Sequence, residues 1–433
     1  MNRIKFNQLD ETLYTETLEN GLEVFILPKA GFHKTFATFT TKYGSMDRTF
    51  RPIDEDQTHT VPDGIAHFLE HKMFEDEDGD VFQVFSKQGA SANAFTSFTR
   101  TAYLFSSTSL VKENVRTLLD FVQKPYFTEE TVEKEKGIIG QEIRMYEDNP
   151  DWQNFFGLLK AMYHEHPVSI DIAGTEDSID QITADLLYTC YHTFYHPGNM
   201  ALFIVGNVDP DEMMSFVRDN QAQKSVKTLT HNPRQLFTGE PEEVKQQEVT
   251  VTMPLQTGKC LVGIKDRRPD LMGKTLLKYE LSMEMALDLI FGQSSENYSS
   301  LFKQGLIDDS FGYDFTHEES FGFSVAGGDS ERPEELAAKI KHMLREAAKS
   351  GIDPESFERI RKQKLGQFLR AMNSPEFIAN QFTRYHFLGT DLFEIVPVLE
   401  DLTVEEVEGV LKEHVDVEKR CSVCYVLPGE TTS

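Results

Sequence analysis

The sequence predicts an α+β protein built from two similar α/β sandwich domains, each a mixed sheet covered by helices, that arose by duplication. Three observations favour this fold. Segments with strand-like and helix-like periodicity alternate along most of the 433 residues. A polar stretch without either pattern divides the chain near its middle. The order of elements before that stretch recurs after it, with negligible residue identity. Two unrelated α/β domains are the alternative.

The first half begins with a predicted hairpin at residues 18–27, in which Asn20-Gly21 forms the turn between alternating apolar positions. A second strand is predicted at 35–43, where Thr and Phe are frequent. The apolar spacing over 111–122 predicts a helix. A helix at 186–194 and a strand at 200–205 complete this half.

A linker is predicted at 221–247, where Lys, Gln, Thr, Asn, Pro and Gly replace the periodic pattern. The predicted domains are therefore residues 1–220 and residues 248–433. In the second domain a strand at 261–264 matches the strand near Phe36. A long helix at 278–291 follows, and the helix and strand within 405–426 match the end of the first domain.

Composition excludes several classes of protein. There are 43 Lys+Arg against 71 Asp+Glu, a net charge of −28, which argues against nucleic-acid and anionic-membrane binding. A hydrophobic fraction of 39% with 33 Phe excludes a disordered chain. Four cysteines do not make a disulfide framework, and no targeting or membrane-spanning segment is visible. These features predict a cytoplasmic protein.

The most informative stretch is residues 63–74, which predicts a helix that Asp63 would cap by accepting free backbone N–H groups. One side of this helix would face the core and the other would carry polar groups. The predicted core side contains Ile65, Phe68 and Leu69. The predicted polar side contains His67, Glu70, His71 and Phe74.

Two histidines at i and i+4 can direct ring nitrogens at one ion, and Glu70 beside them can hold a water. Imidazole nitrogens and a carboxylate suit the open three-ligand geometry of catalytic zinc, so Zn²⁺ is the predicted metal. The alternative is a surface helix that carries these three residues by chance.

A third ligand is expected from the helical segment 132–143. Glu135 and Glu142 share a face there, and Gly137 and Gly140 would allow close approach of another backbone. Taken alone, a Glu-rich helix is more often a solvated face.

These residues resemble a known family. His67-Phe68-Leu69-Glu70-His71 is similar to the inverted zincin motif of the pitrilysin, insulin-degrading enzyme and mitochondrial processing peptidase family. The chain has the half-length, two-domain form, so the resemblance spans nearly all of it. Further matching segments are Asn20-Gly21-Leu22, Gly64-Ile65-Ala66, Asn93-Ala94-Phe95-Thr96, His166-Pro167, Gly174-Thr175, residues 195–200 and Val205-Gly206.

The resemblance implies a zinc metalloendopeptidase that hydrolyses small or unfolded peptides. His67, His71 and Glu142 would be the zinc ligands, Glu70 the general base, and Glu135 a carboxylate behind the ligands. The first domain would be catalytic and the second would line a substrate chamber. A peptide would add as a strand to the sheet edge near 92–98, which implies loose sequence specificity. The implied substrate-binding residues are Ala92, Asn93, Ala94, Phe95 and Thr96.

The sequence departs from the family where active full-length relatives carry an Arg and a Tyr that reach the substrate. Leu301 and Asp308 stand in those places, and neither can donate a hydrogen bond to an oxyanion. We therefore expect a homologous second subunit, in a heterodimer or a homodimer, to supply the pair. Tyr313, or Arg384 with Tyr385, is the local alternative.

Two other functions stay open: a non-catalytic scaffold or chaperone-like subunit of the same fold, and a dedicated maturase for one peptide. Three further patterns predict structure rather than sites. The His-containing segments 163–166 and 190–196 fit a loop and a helix. Cys421 and Cys424 would point to opposite faces of a strand. The acidic segment 75–80 lacks the calcium-loop pattern.

Overall fold

Two mixed sheets covered by helices form the protein, which a computed structural model describes for residues 1–53, 55–77, 79–224 and 232–429. The predicted fold class is therefore confirmed. The described strands of the first half are β1 (Asn2–Phe6), β2 (Glu11–Thr17), β3 (Glu23–Pro28), β4 (Thr35–Thr41), β5 (Thr49–Phe50), β6 (His59–Thr60), β7 (Glu75–Asp76), β8 (Gly79–Asp80), β9 (Ala90–Thr96), β10 (Thr101–Ser107) and β11 (Met200–Gly206). Those of the second half are β12 (Glu248–Met253), β13 (Gly258–Lys265), β14 (Gly312–Glu318), β15 (Phe321–Ser330) and β16 (Cys421–Pro428).

The helices flank these sheets. In the first half they are α1 (Ile65–Lys72), α2 (Val81–Lys87), α3 (Val111–Val122), α4 (Glu129–Glu147), α5 (Pro150–Met162), α6 (Glu176–Ile179), α7 (Ala184–Phe194) and α8 (Pro210–Ala222). In the second half they are α9 (Gly273–Phe291), α10 (Glu296–Lys303), α11 (Pro333–Lys349), α12 (Pro354–Ala371), α13 (Pro375–Phe387), α14 (Ile395–Asp401) and α15 (Val404–His414). No helix in the described ranges is both long and apolar enough to cross a membrane.

The two large sheets repeat one topology. The first has the strand order β1-β2-β3-β11-β4-β10-β9, and the second has the order β12-β16-β13-β15-β14. In the first, β11 is parallel to β3 and antiparallel to β4; in the second, β16 is parallel to β12 and antiparallel to β13. The β1–β2 hairpin is an addition to the first sheet. The edge strand that matters below is β9, whose hydrogen-bonded neighbour is β10.

Most predicted elements appear with small shifts. Helix α3 has the predicted bounds, and β2 and β3 form the predicted hairpin, in which Gly21 has a φ of 89°. Helix α9 starts five residues earlier than predicted, at Gly273, because Leu276 and Leu277 are already fully buried. Helix α8 ends two residues inside the predicted linker, of which residues 225–231 lie outside the described ranges.

Each half also covers the sheet of the other half. Helix α5 packs on β12, β13 and β16, while α13 packs on β4 and β11. The ring of Phe382 in α13 lies 4.6 Å from that of Phe203 and 4.9 Å from that of Phe25. Because of this exchange, the division into domains at 221–247 stays a prediction, although every strand of the first sheet precedes it and every strand of the second follows it.

Residues after the gap at 225–231 connect the halves through charged groups. Arg234, almost fully buried, lies 2.7 Å from Asp47 and 2.5 Å from Glu319. Glu240 accepts hydrogen bonds from the backbone N–H groups of His164 and His166 and from Lys265 Nζ. The segment 163–166 is therefore a loop held by a carboxylate, as its position before Pro167 predicts.

Candidate metal centre

The motif helix α1 begins differently from the prediction. Gly64, with a φ of 85°, occupies the N-cap, and no side chain caps the helix. The expectation that Asp63 caps it is wrong, because the Asp63 carboxylate pairs with Arg48 at 2.5 Å. Glycine is required at this position: a Cβ at Gly64 would lie 2.3 Å from the carbonyl oxygen of Ala173.

The apolar side of α1 faces the core as predicted. Ile65, Phe68 and Leu69 are buried in the cluster that fills the first half. Phe74 lies beyond the end of the helix, and its ring stacks on Phe82 at a centroid distance of 4.1 Å. It belongs to the core and does not share the polar side with His67.

The three predicted ligands converge. His67 Nε2 lies 3.7 Å from Glu142 Oε1, and His71 Nε2 lies 3.6 Å from Glu142 Oε2. One nitrogen or oxygen atom from each residue lies within 4.8 Å of the others. Ligand atoms about 2.0–2.1 Å from a tetrahedral zinc ion are about 3.3 Å apart, so the donor set and its spacing fit this metal.

Helix α4 reaches α1 without the predicted close backbone contact. A Cβ at Gly137 would meet open space, and one at Gly140 would make only ordinary contact, 3.8 Å from the side chain of Glu176. The glycine prediction is therefore wrong. Side chains connect the helices instead: buried Lys72 of α1 donates to the carbonyl oxygen of Thr131 at 3.4 Å.

Glu135 holds the His71 ring. Its Oε1 lies 3.1 Å from His71 Nδ1, so the ring can donate to Glu135 from Nδ1 while Nε2 faces Glu142. Burial opposes the charged ring, but the hydrogen bond that the ring donates to Glu135 and the nearby carboxylates Glu70 and Glu142 outweigh it and raise the pKa of His71.

His67 is 9% exposed, and this burial, with His71 beside it, lowers its pKa to about 4. The ring is therefore neutral at physiological pH, which is the form that binds metals. Its Nδ1 is buried and has no hydrogen-bond partner among the described residues.

Glu70 points toward the edge strand. Its Oε2 accepts a hydrogen bond of 2.6 Å from Thr96 Oγ1, and burial raises the pKa of Glu70. A carboxylate with a raised pKa beside an ion site is suited to accept and return a proton.

These groups open into a cleft of about 260 Å³ beside β9. Ala94, Phe95 and Thr96 line it, whereas Ala92 and Asn93 lie on the same strand outside the lining. Because β9 ends the strand order, its outer edge has no strand partner in the described part of the chain. The cleft is lined by His67, Glu70, His71, Ala94, Phe95, Thr96, Glu142, Tyr146, Trp152, Ile172 and Ala173.

Two aromatic residues of the cleft, Tyr146 and Trp152, were missed from the sequence. Tyr146 donates a hydrogen bond of 2.6 Å to Glu142 Oε1, and its ring stacks on Trp152 at 4.3 Å. Trp152 Nε1 in turn donates to Asp171. Tyr146 stands one helical turn after Glu142, a spacing that could have identified it. Trp152 lies on the next helix, and sequence spacing gives no such signal.

The residues considered for the missing Arg/Tyr pair lie elsewhere. Leu301 is fully buried in α10, and Asp308 is exposed. The Tyr313 hydroxyl donates to Asp288, and Arg384 pairs with carboxylates of the second half. None of these residues, nor Tyr385, lines the cleft.

The remaining cysteine and acidic patterns take no part in the cleft. Cys421 and Cys424 are both buried in β16, in two different apolar clusters, which agrees with their predicted opposite directions. In the acidic segment 75–80, Asp76 pairs with Lys124 at 2.9 Å, and Asp78 lies outside the described residues.

Comparison with protein families gives two matches. A family model described as insulinase (peptidase family M16) matches residues 58–176, which include the motif helix and α4. A model described as peptidase M16 inactive domain matches residues 181–364.

Similar proteins cover the whole chain. An uncharacterized zinc protease of Bacillus subtilis, YmfH, is 57% identical over 98% of this chain and 99% of its own length. A crystal structure of a putative M16-like peptidase from Alicyclobacillus acidocaldarius is 42% identical, with a TM-score of 0.92 over 97% of this chain and 99% of that one. A protease from Helicobacter pylori shares the fold, with a TM-score of 0.82 at 20% identity over 96% of this chain and 99% of that one.

Proposed function

Because the chain belongs to the M16 (insulinase) peptidase family, we propose that it is a zinc-dependent endopeptidase acting on small or unfolded peptides. His67, His71 and Glu142 would hold the metal. The observation that carries this proposal is the convergence of two imidazole nitrogens and a carboxylate, 3.6 and 3.7 Å apart, on one side of a cleft.

Zinc bound there would act as a Lewis acid toward the peptide carbonyl and would lower the pKa of water toward about 7. Glu70 would take a proton from the attacking water and pass it to the leaving amine. Thr96 donates a 2.6 Å hydrogen bond to the Glu70 carboxylate, which fixes the orientation of the group that would transfer the proton. Glu135 fixes the orientation of the His71 ring from behind.

The outer edge of β9 would bind the peptide as an added strand. Its free N–H and C=O groups offer main-chain hydrogen bonds next to the cleft, and such bonds are nearly independent of sequence. Ala92 to Thr96 would contribute this edge, with the last three residues facing the cleft.

We also propose that a homologous second subunit completes the site. No Arg side chain lines the cleft in the described residues, and Tyr146 is already bonded to Glu142. Donors for the developing oxyanion would then come from another chain, in a heterodimer or a homodimer. A cytoplasmic location belongs to this proposal, since the four cysteines are all free and buried.

The second candidate is a scaffold or chaperone-like subunit without activity. The observation that favours it is the replacement of the Arg/Tyr pair by buried Leu301 and exposed Asp308.

The two candidates differ in zinc content and hydrolysis. We would measure zinc by elemental analysis in wild type, Glu70→Gln and His71→Ala, and assay peptide hydrolysis with and without a co-expressed sister subunit. The endopeptidase predicts one zinc per chain in wild type and Glu70→Gln, and loss of zinc in His71→Ala. It also predicts hydrolysis that needs the partner and disappears in Glu70→Gln. A wild-type chain that neither contains nor takes up zinc would contradict it and favour the scaffold.

A further inference from the structure

A second cavity, of about 350 Å³, lies where the end of β9 meets the second half of the protein. Its first wall is the turn Ser97, Phe98, Thr99 and Arg100, which directly follows β9. Its other walls come from the second half: Glu280, Glu284, Asp314, Phe315, Thr316, Glu318, Gln381, Arg384 and Tyr385. We propose that this cavity is a subsite that binds a basic side chain, Arg or Lys, of the peptide substrate. The subsite proposal rests on the proposed function only in assuming that a peptide docks along β9.

The cavity continues the line of the edge strand. Residues 94–96 line the metal cleft, and residues 97–100 line the cavity. A peptide paired with β9 that continues past Thr96 therefore passes from one to the other. At about 3.4 Å per residue, the side chain that enters the cavity would be about two to four residues from the one opposite Thr96.

The lining carries an excess of negative charge. Four carboxylates, those of Glu280, Glu284, Asp314 and Glu318, stand against two guanidinium groups, those of Arg100 and Arg384. With Glu280 ionised, the formal charge of the lining is therefore −2, and it stays −2 when Lys364 and Asp288, which pair beside Glu284, are counted as well. Such a surface attracts cations and repels an acidic side chain or a peptide carboxylate.

The guanidinium of Arg384 is already occupied. It lies 2.8 Å from Glu280 Oε1, and it donates to Glu318 Oε1 and to the carbonyl oxygen of His317, each at 2.7 Å. Arg100 lies 4.0 Å from Glu318 and stands over the ring of Phe95. With Arg384 fully engaged, the positive charge left to an anion entering the cavity is that of Arg100.

Hydrogen-bond acceptors in the cavity lining, by contrast, are not all satisfied. Glu280 is 3% exposed, and its Oε2 is buried with no hydrogen bond of normal geometry in the described part of the chain, although the phenol of Tyr385 lies beside it. Burial raises the pKa of Glu280 to about 7, because Arg384 compensates its charge only in part. An unsatisfied buried carboxyl oxygen is costly, and a cationic donor would satisfy it.

Asp314 provides a second acceptor at the mouth of the cavity. Its side chain is exposed, and its Oδ2 accepts a bond of 3.1 Å from Thr316. The rings of Phe315 and Tyr385 also line the cavity, and an apolar surface suits the methylene stem of Arg or Lys. The cavity thus offers an apolar wall for the stem and carboxylates for the charged end.

The test measures peptide binding without catalysis. The protein is the full chain carrying Glu70→Gln, so that no peptide is cleaved. The probes are fluorescein-labelled ten-residue peptides of Ala, Gly, Ser and Leu with one Arg moved along the sequence. Each has a matched peptide with citrulline, which keeps the shape of Arg without its charge. Affinity is read by fluorescence anisotropy.

We expect the Arg peptide to bind about tenfold tighter than its citrulline counterpart at one or two adjacent positions. In Asp314→Asn, an exposed change that should not disturb folding, this ratio should fall below about threefold. Glu280→Gln should reduce it too, with folding checked by thermal unfolding. The matched control Asp309→Asn, on an exposed residue outside the cavity lining, should leave the ratio unchanged.

Equal binding of Arg and citrulline peptides at every position would overturn the subsite. So would tighter binding of Glu-containing peptides, since the guanidinium groups would then dominate. If no peptide binds, with or without the co-expressed sister subunit, both the subsite and the docking on β9 are wrong. An Arg preference in Glu70→Gln, together with a wild-type chain that takes up no zinc and cleaves nothing with the sister subunit present, would leave the subsite standing and reject the endopeptidase.

Discussion

The two halves of the protein place a pair of helices at equivalent positions and fill the space between them differently. In the first half α1 lies between β4 and β9 along the chain and faces α4; in the second, α9 lies between β13 and β14 and faces α12. Between α1 and α4, His67, His71 and Glu142 face one another. Between α9 and α12, Lys364 Nζ lies 2.8 Å from Glu284 Oε2 and 3.1 Å from Asp288 Oδ2.

The two pairs of helices differ in the source of the positive charge between them. In the second half the cation belongs to the chain. Burial alone would lower the pKa of Lys364, but Glu284 and Asp288 raise it, so the ammonium stays charged. In the first half three metal-binding groups converge, and no Lys or Arg of the described residues pairs with Glu142, so an external cation satisfies the group best.

The largest effect should follow from Glu142→Gln, which removes the anionic member of the proposed ligand set. We expect zinc affinity to fall at least about 100-fold and hydrolysis by the assembled enzyme to fall about 1,000-fold. Elemental analysis after dialysis and a peptide assay would measure both. Zinc at 1,000 times the wild-type Kd should also stabilise wild type by about 4 kcal/mol, but a variant that binds 100-fold more weakly by only about 1.4 kcal/mol. Equal zinc content in the two proteins would show that Glu142 does not hold the metal.

A substitution between α9 and α12 should alter stability but not zinc content. Lys364→Met leaves Glu284 and Asp288 facing each other without a cation, and we expect a loss of about 2–3 kcal/mol in the free energy of unfolding. Urea denaturation measures it, and zinc content should not change. The control is Lys362→Met, an exposed neighbour on α12. The double variant with Glu284→Gln should recover part of the loss; a stable Lys364→Met protein would show that the ammonium is dispensable.

Glu135→Gln changes the residue of α4 that contacts the His71 ring. A neutral amide cannot hold the His71 ring as an ionised carboxylate does, so zinc affinity should fall about 10- to 100-fold. Competition with a chelator would give the value. Glu133→Gln changes an exposed residue two positions earlier, which pairs with Lys136, and it should leave zinc affinity unchanged. A similar loss in both variants would point to the charge of the helix rather than to the His71 contact.

The smallest effect is expected for Tyr146→Phe, which removes one hydrogen bond to Glu142 and keeps the stacked ring. We expect zinc affinity to fall about three- to tenfold. Trp152 is the only tryptophan of the chain and stacks on this ring, so its fluorescence reports whether the cleft is intact. Unchanged affinity with unchanged emission would mean that the hydrogen bond does not position Glu142.

Sequence periodicity was sufficient wherever the signal was local. The spacing of His67, Glu70 and His71 places them on one side of a helix, because 3.6 residues per turn fixes that arrangement before any tertiary contact forms. The same rule placed Glu135 and Glu142 on one face of α4, and the recurring element order predicted the two sheets. Sequence reasoning failed at the start of α1, where a backbone contact determines the N-cap residue. Gly64, packed against Ala173, takes this position instead of Asp63.

Periodicity and residue chemistry within short segments were therefore enough to predict the fold class, the motif helix and the identities of the candidate ligands. What lies between distant elements depends on the folded chain. The tertiary structure placed Trp152 of α5 against Tyr146, set the acidic cavity at the junction of the two halves, and put Lys364 between Glu284 and Asp288. Each of these depends on how helices and strands far apart in the chain pack together, which no local pattern encodes.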